Sequence, residues 1–142
     1  MDFSKAFDSI PRDILFQKLI SKGIKGKVFN LLKNIYLHEE SKVKIGKHLS
    51  ETITVNQGVR QGCILSPLLF NIFISDLPSQ LEKPEHHAPN INESKTLGCI
   101  LWADDLVLLS TTEDGLGKMI VKLATYADDN GLKINVETRV RV

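Results

Sequence analysis

The chain has 142 residues, of which 42% are hydrophobic and 25% charged, and its formal net charge is +1. This composition fits one folded domain, or a piece of one, and excludes a disordered chain. No apolar run approaches the roughly 18 residues of a membrane-spanning helix, so no membrane segment is expected. An acid and then a lysine follow Met1 so closely that no signal peptide is predicted.

The charges are distributed unevenly along the chain. Residues 1–60 contain 11 Lys/Arg and 6 Asp/Glu, whereas residues 61–142 contain 7 and 11. A basic first half beside an acidic second half favours phosphate contacts next to a metal site, although lysines that merely solvate helix faces explain the same counts. Cys63 and Cys99 lack metal-ligand spacing and lie in apolar sequence, which predicts buried free thiols of an intracellular protein.

Two helices are predicted near the start of the chain. The first begins at Pro11, because proline is favoured at the first helical position, and it ends at Gly23. The second covers about 25–37, where apolar residues recur with helical spacing. The positions expected to face inward are Ile14, Leu15, Leu19 and Ile20 in the first helix and Val28, Phe29, Leu32, Ile35 and Tyr36 in the second.

A hairpin and a third long helix are predicted next. Residues 42–55 alternate between polar and apolar around a glycine-containing turn, which is typical of a β-hairpin. The loop 56–62 then leads to Ser66-Pro67, a pairing typical of a helix start. The helix behind it is apolar on nearly every side, and we therefore expect it to be buried.

Residues 79–96 form the clearest predicted loop or linker, because they are polar and contain Pro84 and Pro89. His86 and His87 lie within this segment. No further residues with metal-ligand spacing accompany the two histidines, so both are expected to be solvated.

The last part of the chain predicts a second hairpin, a helix and a strand. Two short apolar runs, 97–102 and 106–110, flank an Ala-Asp-Asp sequence. An amphipathic helix over about 113–129 ends at Asn130-Gly131, and a strand follows from Leu132 to about Val136. The order of elements predicts an α+β fold with an antiparallel sheet and helices packed on one face.

Two adjacent aspartates behind an aromatic residue and an alanine occur twice, at 102–105 and at 126–129. Asp104 and Asp105 lie within strongly apolar sequence, where acids either mark a tight turn or are compensated by a counter-charge such as a metal ion. The second pair lies on the predicted last helix and off its apolar stripe, and is expected in solvent. That stripe consists of Leu116, Ile120, Leu123 and Ala127. The first pair is therefore the candidate site.

A site that holds two divalent cations usually needs a further acid from a neighbouring strand. Asp2 is the candidate, because it precedes a turn into the first helix at the other end of the chain. Asp8 follows six residues later, where its role could simply be to cap that helix.

Four segments occur in the order and spacing of the motifs A, B, C and D of a reverse transcriptase palm. They are "DFSKAFDSIP" (2–11), "QGVRQGCILSPLLFNIFISDL" (57–77), "LWADDLVLLS" (101–110) and "GLKIN" (131–135). The chain resembles the reverse transcriptases of non-LTR retrotransposons over essentially all 142 residues, and it is less similar to group II intron and other bacterial enzymes. A nucleotide cyclase with a similar sheet would not account for the segment 57–77.

The resemblance implies an RNA-directed DNA polymerase and a role for each motif residue. Asp2, Asp104 and Asp105 would be the catalytic carboxylates that hold two Mg²⁺ ions, with Mn²⁺ as an alternative ion. Three further sets of residues are implied to contact substrate. Phe7 would select deoxynucleotides by clashing with a 2′-hydroxyl, and Gln61 and Gly62 would line the incoming nucleotide and the template base. Arg60 would touch phosphate or template. Trp102 stands where the family commonly has tyrosine, and Ser66-Pro67 would serve helix architecture.

The resemblance also implies partners: an RNA template, a DNA primer and dNTPs. The palm motifs would be present without complete fingers and without a thumb, which a full-length protein would supply. After Asn135 the lysine usual in motif D is missing, with Lys133 or Arg139 as poor substitutes. Together these departures predict an inactive isolated chain. The alternative is a degenerate, non-catalytic remnant that acts at most as a weak nucleic-acid or protein-binding module. Lineage predicts the nucleus in a eukaryote and the cytoplasm in a bacterium.

Overall fold

The computed structural model describes residues 1–135, and its helices and strands alternate in an α+β arrangement. The helices are α1 (Ala6–Ser9), α2 (Arg12–Ser21), α3 (Gly26–Leu37), α4 (Leu65–Ile74), α5 (Leu77–Leu81) and α6 (Glu113–Asp129), with a 3₁₀ turn at Pro84–His86. The strands are β1 (Asp2–Phe3), β2 (Glu40–Ser41), β3 (Lys44–Ile45), β4 (His48–Leu49), β5 (Ile53–Thr54), β6 (Asn90–Asn92), β7 (Lys95–Thr96), β8 (Cys99–Trp102), β9 (Asp105–Leu108) and β10 (Ile134–Asn135). The mixture of helices and small antiparallel sheets confirms the predicted class.

The main sheet has four antiparallel strands in the order β10-β1-β9-β8. Burial alternates along β8 and β9, because successive side chains of a strand point to opposite faces. One face carries Phe3 and Leu106 into the core, and the other carries the exposed side chains of Asp105 and Val107. The helices therefore cover one face only, and the strand ends that hold the candidate carboxylates stay accessible.

The core lies between the sheet and the helices α2, α4, α5 and α6. Its largest fully buried side chains are Tyr36, Tyr126, Phe70, Phe73, Ile10, Leu15, Leu19, Leu77, Leu81, Leu106, Met119 and Leu123. The helix α3 packs beside α2, where the rings of Phe16 and Phe29 meet edge to face with centroids 5.9 Å apart. No helix within residues 1–135 is both long and apolar enough to cross a membrane.

A partly buried polar cluster joins α2 to α4 and α6. The Nζ of Lys18 donates to the Phe73 carbonyl oxygen at 2.7 Å, to Asp76 Oδ1 at 2.8 Å and to the Tyr126 hydroxyl at 2.9 Å. The Tyr126 hydroxyl in turn donates to Asp76 Oδ1 at 2.7 Å. Because a polar group buried without partners is costly, this satisfied cluster fixes how the three helices meet.

The predicted hairpin over 42–55 is confirmed. The strands β3 and β4 pair around the turn at Gly46, and β2 pairs with β5 closer to the body of the protein. Nearly every side chain from Lys42 to Thr54 is exposed, so the alternating pattern predicted the strands but not a buried face.

Four local predictions about the helices were wrong. Ile20 was expected to face inward but is 44% exposed, because Leu15 and Leu19 define the buried side of α2. Val28 was expected to face inward but is 61% exposed, because Phe29 and Tyr36 define the side of α3 that packs on α2. Ser66 does not cap α4, which begins at Leu65; its buried hydroxyl instead donates to the Arg60 carbonyl oxygen at 2.5 Å. The same helix is not buried on nearly every side, since Leu68 is more than half exposed.

The polar segment 79–96 is not the featureless linker that its composition suggested. It contains the end of α5, the 3₁₀ turn and the β6–β7 hairpin. His86, expected in solvent, is buried, and its Nδ1 lies 2.7 Å from the Leu81 carbonyl oxygen. The backbone of His86 also lies against Gly115 of α6, where an added Cβ would come within 2.4 Å of the His86 oxygen. His87 is exposed, as expected.

Candidate active site: a carboxylate hairpin and a glycine-containing loop

The first Ala-Asp-Asp sequence forms the tip of the β8–β9 hairpin. Trp102 pairs with Asp105 across the two strands, so the loop consists of Ala103 and Asp104 alone. Ala103 adopts φ 52°, a left-handed conformation in which two-residue hairpin loops usually place glycine, asparagine or aspartate. The tight turn and the acidic site, which were alternatives for this sequence, are therefore compatible: the turn presents both aspartates.

Asp2 lies directly opposite Asp105 in the neighbouring strand β1. Next to this pair, Met1 and Leu106 exchange two hydrogen bonds: the Leu106 amide donates to the Met1 oxygen at 2.8 Å, and the N-terminal ammonium donates to the Leu106 oxygen at 2.7 Å. Asp2 and Asp105 therefore form the alternate, non-hydrogen-bonded pair, in which Cα atoms are about 4.5 Å apart and side chains lie close on the same face. The structure thus brings together two acids that are more than one hundred residues apart in sequence.

Among residues 1–135, the three candidate carboxylates have no cationic partner. Within residues 1–135, the side chains of Asp2, Asp104 and Asp105 take part in none of the ion pairs or side-chain hydrogen bonds. Carboxylate oxygens are the ligands that Mg²⁺ prefers, so the donor set fits the ion chemically. The same part of the chain contains no group of three or more His, Cys, Asp and Glu side chains already arranged to hold a metal ion.

The open face of the sheet beside these acids is partly apolar. Trp102 is 81% exposed, and Ile100 and Val107 are each about half exposed on the same face. Asn135 of β10 pairs with Asp2 on its other side. A row of side chains therefore crosses the strand ends, from Asn135 through the two acids to the indole ring.

The second Ala-Asp-Asp sequence lies at the end of α6, and its carboxylates are exposed, as predicted. Asp128 and Asp129 face solvent, whereas Tyr126 and Ala127 point into the core. Burial raises the pKa of the Tyr126 hydroxyl, and the hydrogen bond to Asp76 and the charge of Asp76 raise it further. This tyrosine is a neutral, structural residue.

The loop after β5 packs tightly on the segment that contains α1. The amide of Gly58 donates to the Ile10 oxygen at 2.8 Å, and the amide of Val59 donates to the Phe7 oxygen at 2.7 Å. Gly58 has φ 78°, and an added Cβ would lie 2.6 Å from the Asp8 carbonyl oxygen. Only glycine fits there. Gly62 has a similar φ of 77°, but nothing lies within 4 Å of its added Cβ, so its surface is open to a ligand.

Two side chains of this loop are held by acids. Gln61 Nε2 donates to both oxygens of Asp8, at 2.9 and 3.0 Å. Arg60 Nε donates to Glu39 Oε1 at 2.7 Å, so its guanidinium is partly engaged within the protein. Asp8 therefore does not cap α2, for which it had been considered; it positions Gln61. A cleft of about 520 Å³ lies between these residues, lined by Asp8, Glu39, Arg60 and Gln61 among others.

Phe7 is half buried, and its ring stacks on Phe70 of α4 with centroids 5.0 Å apart. Phe7 therefore has a packing role, and this packing fixes the ring beside the loop that carries Gln61. Cys99, at the start of β8, is buried as predicted, whereas Cys63 is only partly buried. Burial raises the pKa of the Cys99 thiol to about 11, helped by the charge of Glu82, so it is not a nucleophile at neutral pH.

Two residues of this region were not singled out from the sequence. Arg12 is 8% exposed and Glu39 is 9% exposed, and they form an ion pair beneath the loop. A signal was available, since Arg12 shares the helical stripe of the buried residues Leu15 and Leu19. The predicted departure after Asn135, including Glu137, Thr138 and Arg139, lies outside the described residues.

Comparison with known proteins identifies the family. The model for "Reverse transcriptase (RNA-dependent DNA polymerase)" matches residues 1–138. The chain is 31% identical over 134 residues to the Retrovirus-related Pol polyprotein from type-1 retrotransposable element R2 of Nasonia vitripennis. The matched segment covers 94% of this chain and 13% of that protein. The chain is 30% identical over 137 residues to the corresponding polyprotein from type-2 retrotransposable element R2DM of Drosophila melanogaster, with 96% and 13% covered.

A third relative is the probable RNA-directed DNA polymerase from transposon BS of Drosophila melanogaster, 25% identical over 146 residues, with 99% of this chain and 15% of that protein covered. The chain thus spans 13–15% of the length of these three relatives. All three come from mobile elements, which agrees with the resemblance of the four motifs. The chain belongs to the reverse transcriptase family, the RNA-dependent DNA polymerases.

Proposed function

We propose that this chain forms the palm part of an RNA-directed DNA polymerase that adds dNTPs to a primer 3′-hydroxyl by two-metal nucleotidyl transfer. One observation carries the proposal: Asp2 pairs with Asp105 across β1 and β9, at the strand end where the hairpin loop also contributes Asp104. Family membership and the order of the four motifs support the same reaction.

In this proposal Asp2, Asp104 and Asp105 hold Mg²⁺, or Mn²⁺ in its place, through their carboxylate oxygens. The bound ions supply activation of the 3′-hydroxyl and neutralisation of charge on the triphosphate and the departing pyrophosphate. The strand pairing holds Asp2 beside Asp105 before any ligand arrives, which limits the rearrangement that binding requires.

The nucleotide would approach from the loop that ends at Gly62. The open space above Gly62 would allow close backbone approach, and Gln61, held by Asp8, would present its amide toward the base. Phe7, braced by Phe70, would exclude a 2′-hydroxyl and so favour dNTPs. Arg60 donates from Nε to Glu39 and from Nη2 to the Ile35 oxygen at 3.4 Å, so only its remaining N–H groups would be left for phosphate or template.

The partners in this proposal are an RNA template, a DNA primer and dNTPs, with fingers and thumb regions contributed by a longer protein. The relatives are several times longer than this chain, which leaves room for such regions. The proposed location is the nucleus in a eukaryotic host and the cytoplasm in a bacterial host.

Primer extension on an RNA template, with Mg²⁺ and dNTPs, tests the proposal. The 142-residue chain alone is expected to show little or no extension, and Asp104→Asn should abolish any extension that is observed. Asp128→Asn is the matched control, because it makes the same change in the solvent-exposed pair on α6. Extension that persists in Asp104→Asn would overturn the assignment of the carboxylates.

A second candidate is a non-catalytic remnant that binds nucleic acid or protein weakly. The observation that favours it is the absence, within residues 1–135, of three metal-ligating side chains already grouped as a site. This candidate predicts neither extension nor saturable binding of Mn²⁺ at the hairpin. Mg²⁺-dependent extension that is lost in Asp104→Asn would exclude it.

A further inference from the structure

Arg12 is a buried arginine whose five guanidinium N–H groups all have acceptors. Its Nε donates to the Gly58 oxygen at 2.9 Å, and its Nη1 donates to the oxygens of Tyr36 and Val55, each at 2.5 Å. Its Nη2 donates to the Gln57 oxygen at 3.1 Å and to Glu39 Oε2. Because guanidinium has five donors and no acceptor, this site uses the whole capacity of the side chain.

The acceptors belong to two segments that Arg12 joins. Tyr36 lies at the end of α3, whereas Val55, Gln57 and Gly58 are successive parts of the loop that leaves β5. The guanidinium also lies over the ring of Tyr36, 5.2 Å from its centroid. The first residue of α2 therefore clamps the start of the loop against the body of the protein.

Glu39 extends the clamp to the far side of the loop. Its Oε2 accepts from Arg12, and its Oε1 accepts from Arg60, which directly precedes Gln61. The loop is thus held at Val55–Gly58 by Arg12 and at Arg60 through Glu39. Between these points the amides of Gly58 and Val59 dock on the backbone that precedes α2.

We propose that Arg12 is a positioning residue: with Glu39, it sets the conformation of residues 55–62 and thereby places Gln61 and Gly62 for the nucleotide. The inference rests on the proposed function for the role of those two residues, but the effect on the loop stands on the contacts alone. Arg12 touches no reacting atom in this account and acts only through the loop.

Lysine cannot replace arginine at this site. Its ammonium carries three donors on a single nitrogen, and the five acceptors surround a planar group from several directions. Arg12→Lys keeps the charge that neutralises Glu39, yet leaves carbonyl oxygens of the loop without partners. The variant therefore separates the clamp from the mere presence of a buried cation.

Hydrogen exchange on the 142-residue chain measures the clamp without any nucleotide. In Arg12→Lys the amides of Gly58 and Val59 should exchange at least about tenfold faster, because loop opening no longer breaks the guanidinium contacts. Amides in the middle of α6 should change much less. Unchanged exchange at Gly58 and Val59, or equal acceleration throughout the chain, would overturn the inference.

Tyr126→Phe is the control for general destabilisation. It removes a buried hydroxyl that bonds to Asp76 and touches nothing in residues 55–62. Its exchange should rise in α6 without selective acceleration of the loop. Glu39→Gln is a second variant, which leaves all four carbonyl contacts of Arg12 intact. It tests the inference if Arg12→Lys does not fold. It should accelerate exchange near Arg60 more than near Gly58, and the opposite order would contradict the clamp.

The affinity for a dNTP, titrated with Mg²⁺ and primer–template, tests the step from loop to nucleotide. Arg12→Lys and Gln61→Ala should each weaken binding by about tenfold, and the double variant should bind no more weakly than the single ones. Additive losses would show that Arg12 does not act through Gln61. If the wild-type chain binds no dNTP, the step from loop to nucleotide is overturned for this chain, and the exchange experiment still decides whether Arg12 holds the loop.

Discussion

The chain spells Ala-Asp-Asp twice, and the two copies occupy opposite environments. At the tip of the β8–β9 hairpin the aromatic residue is exposed and an aspartate lies against a third acid from β1. At the end of α6 the aromatic residue is buried and both aspartates face solvent. The Tyr126 hydroxyl accepts a hydrogen bond from Lys18, whereas the Trp102 side chain is 81% exposed next to the carboxylates. The same three residues are therefore proposed to bind metal in one copy and are part of a packed helix end in the other, because the backbone around them differs.

The largest expected difference between the copies is in metal binding. Mn²⁺ binding, followed by electron paramagnetic resonance, should be lost in the double variant Asp104→Asn/Asp105→Asn. Removal of direct ligands should cost more than the about 10–100-fold that changes outside the ligand shell cost. Asp128→Asn/Asp129→Asn is the matched control and should bind as the wild type does. Equal Mn²⁺ binding by both double variants would show that the two aspartate pairs do not differ in metal binding.

The aromatic residues should show the reverse order of effects on stability. Tyr126→Phe should lower the free energy of unfolding by about 1–3 kcal/mol, because Lys18 and Asp76 lose a buried partner. Trp102→Phe should change it by no more than about 0.5 kcal/mol, since the indole is mostly exposed. Urea unfolding followed by circular dichroism measures both. A larger loss for Trp102→Phe would mean that the exposed face of the sheet is packed in solution.

The two alanines sharpen the comparison at a smaller scale. Ala103→Gly removes the strain of a left-handed φ of 52°, but it also raises the conformational entropy of the unfolded chain. The free energy of unfolding should therefore rise by between zero and about 1 kcal/mol. Ala127→Gly, within the buried face of α6, should destabilise by about 1 kcal/mol or more. The midpoint of thermal unfolding should therefore fall for Ala127→Gly and not fall for Ala103→Gly, and a fall in both variants would contradict the assigned backbone conformations.

The smallest effect expected is a pH dependence at the structural copy. Burial raises the pKa of Asp76, but the hydrogen bonds from Lys18 and Tyr126 and the charge of Lys18 outweigh it and hold the pKa below its ordinary 3.8. The stability contributed by this carboxylate is therefore present above pH 3.8 and is lost as the pH falls through the lower folded pKa.

Urea midpoints measured between about pH 2 and pH 6 test this sign. Asp76→Asn should flatten the acid limb of the stability curve, whereas Asp128→Asn should leave its slope unchanged. An acid limb that is as steep in Asp76→Asn as in the wild type would show that other carboxylates control it.

Local sequence signals predicted several elements well. Two short apolar runs on either side of Ala-Asp-Asp predicted the β8–β9 hairpin, and helical spacing predicted α6 with Asp128 and Asp129 in solvent. Predictions of solvent exposure from residue polarity were wrong where long-range contacts bury a polar side chain. His86 reads as a surface residue, yet it is buried because the close approach of Gly115 allows α6 to cover it. Helical spacing alone places Arg12 on the buried side of α2, but the five acceptors that surround it come from elsewhere in the chain.

The sequence by itself determined which residues alternate, which glycines and prolines end elements, and which motifs mark the family, because these depend on neighbours along the chain. Only the tertiary structure decided that Asp2 meets Asp105 and that Arg12 and Glu39 hold the loop of Gln61. Such pairings depend on strand order and helix packing. The free energy that selects them comes from burial of the whole core, to which the paired residues contribute little.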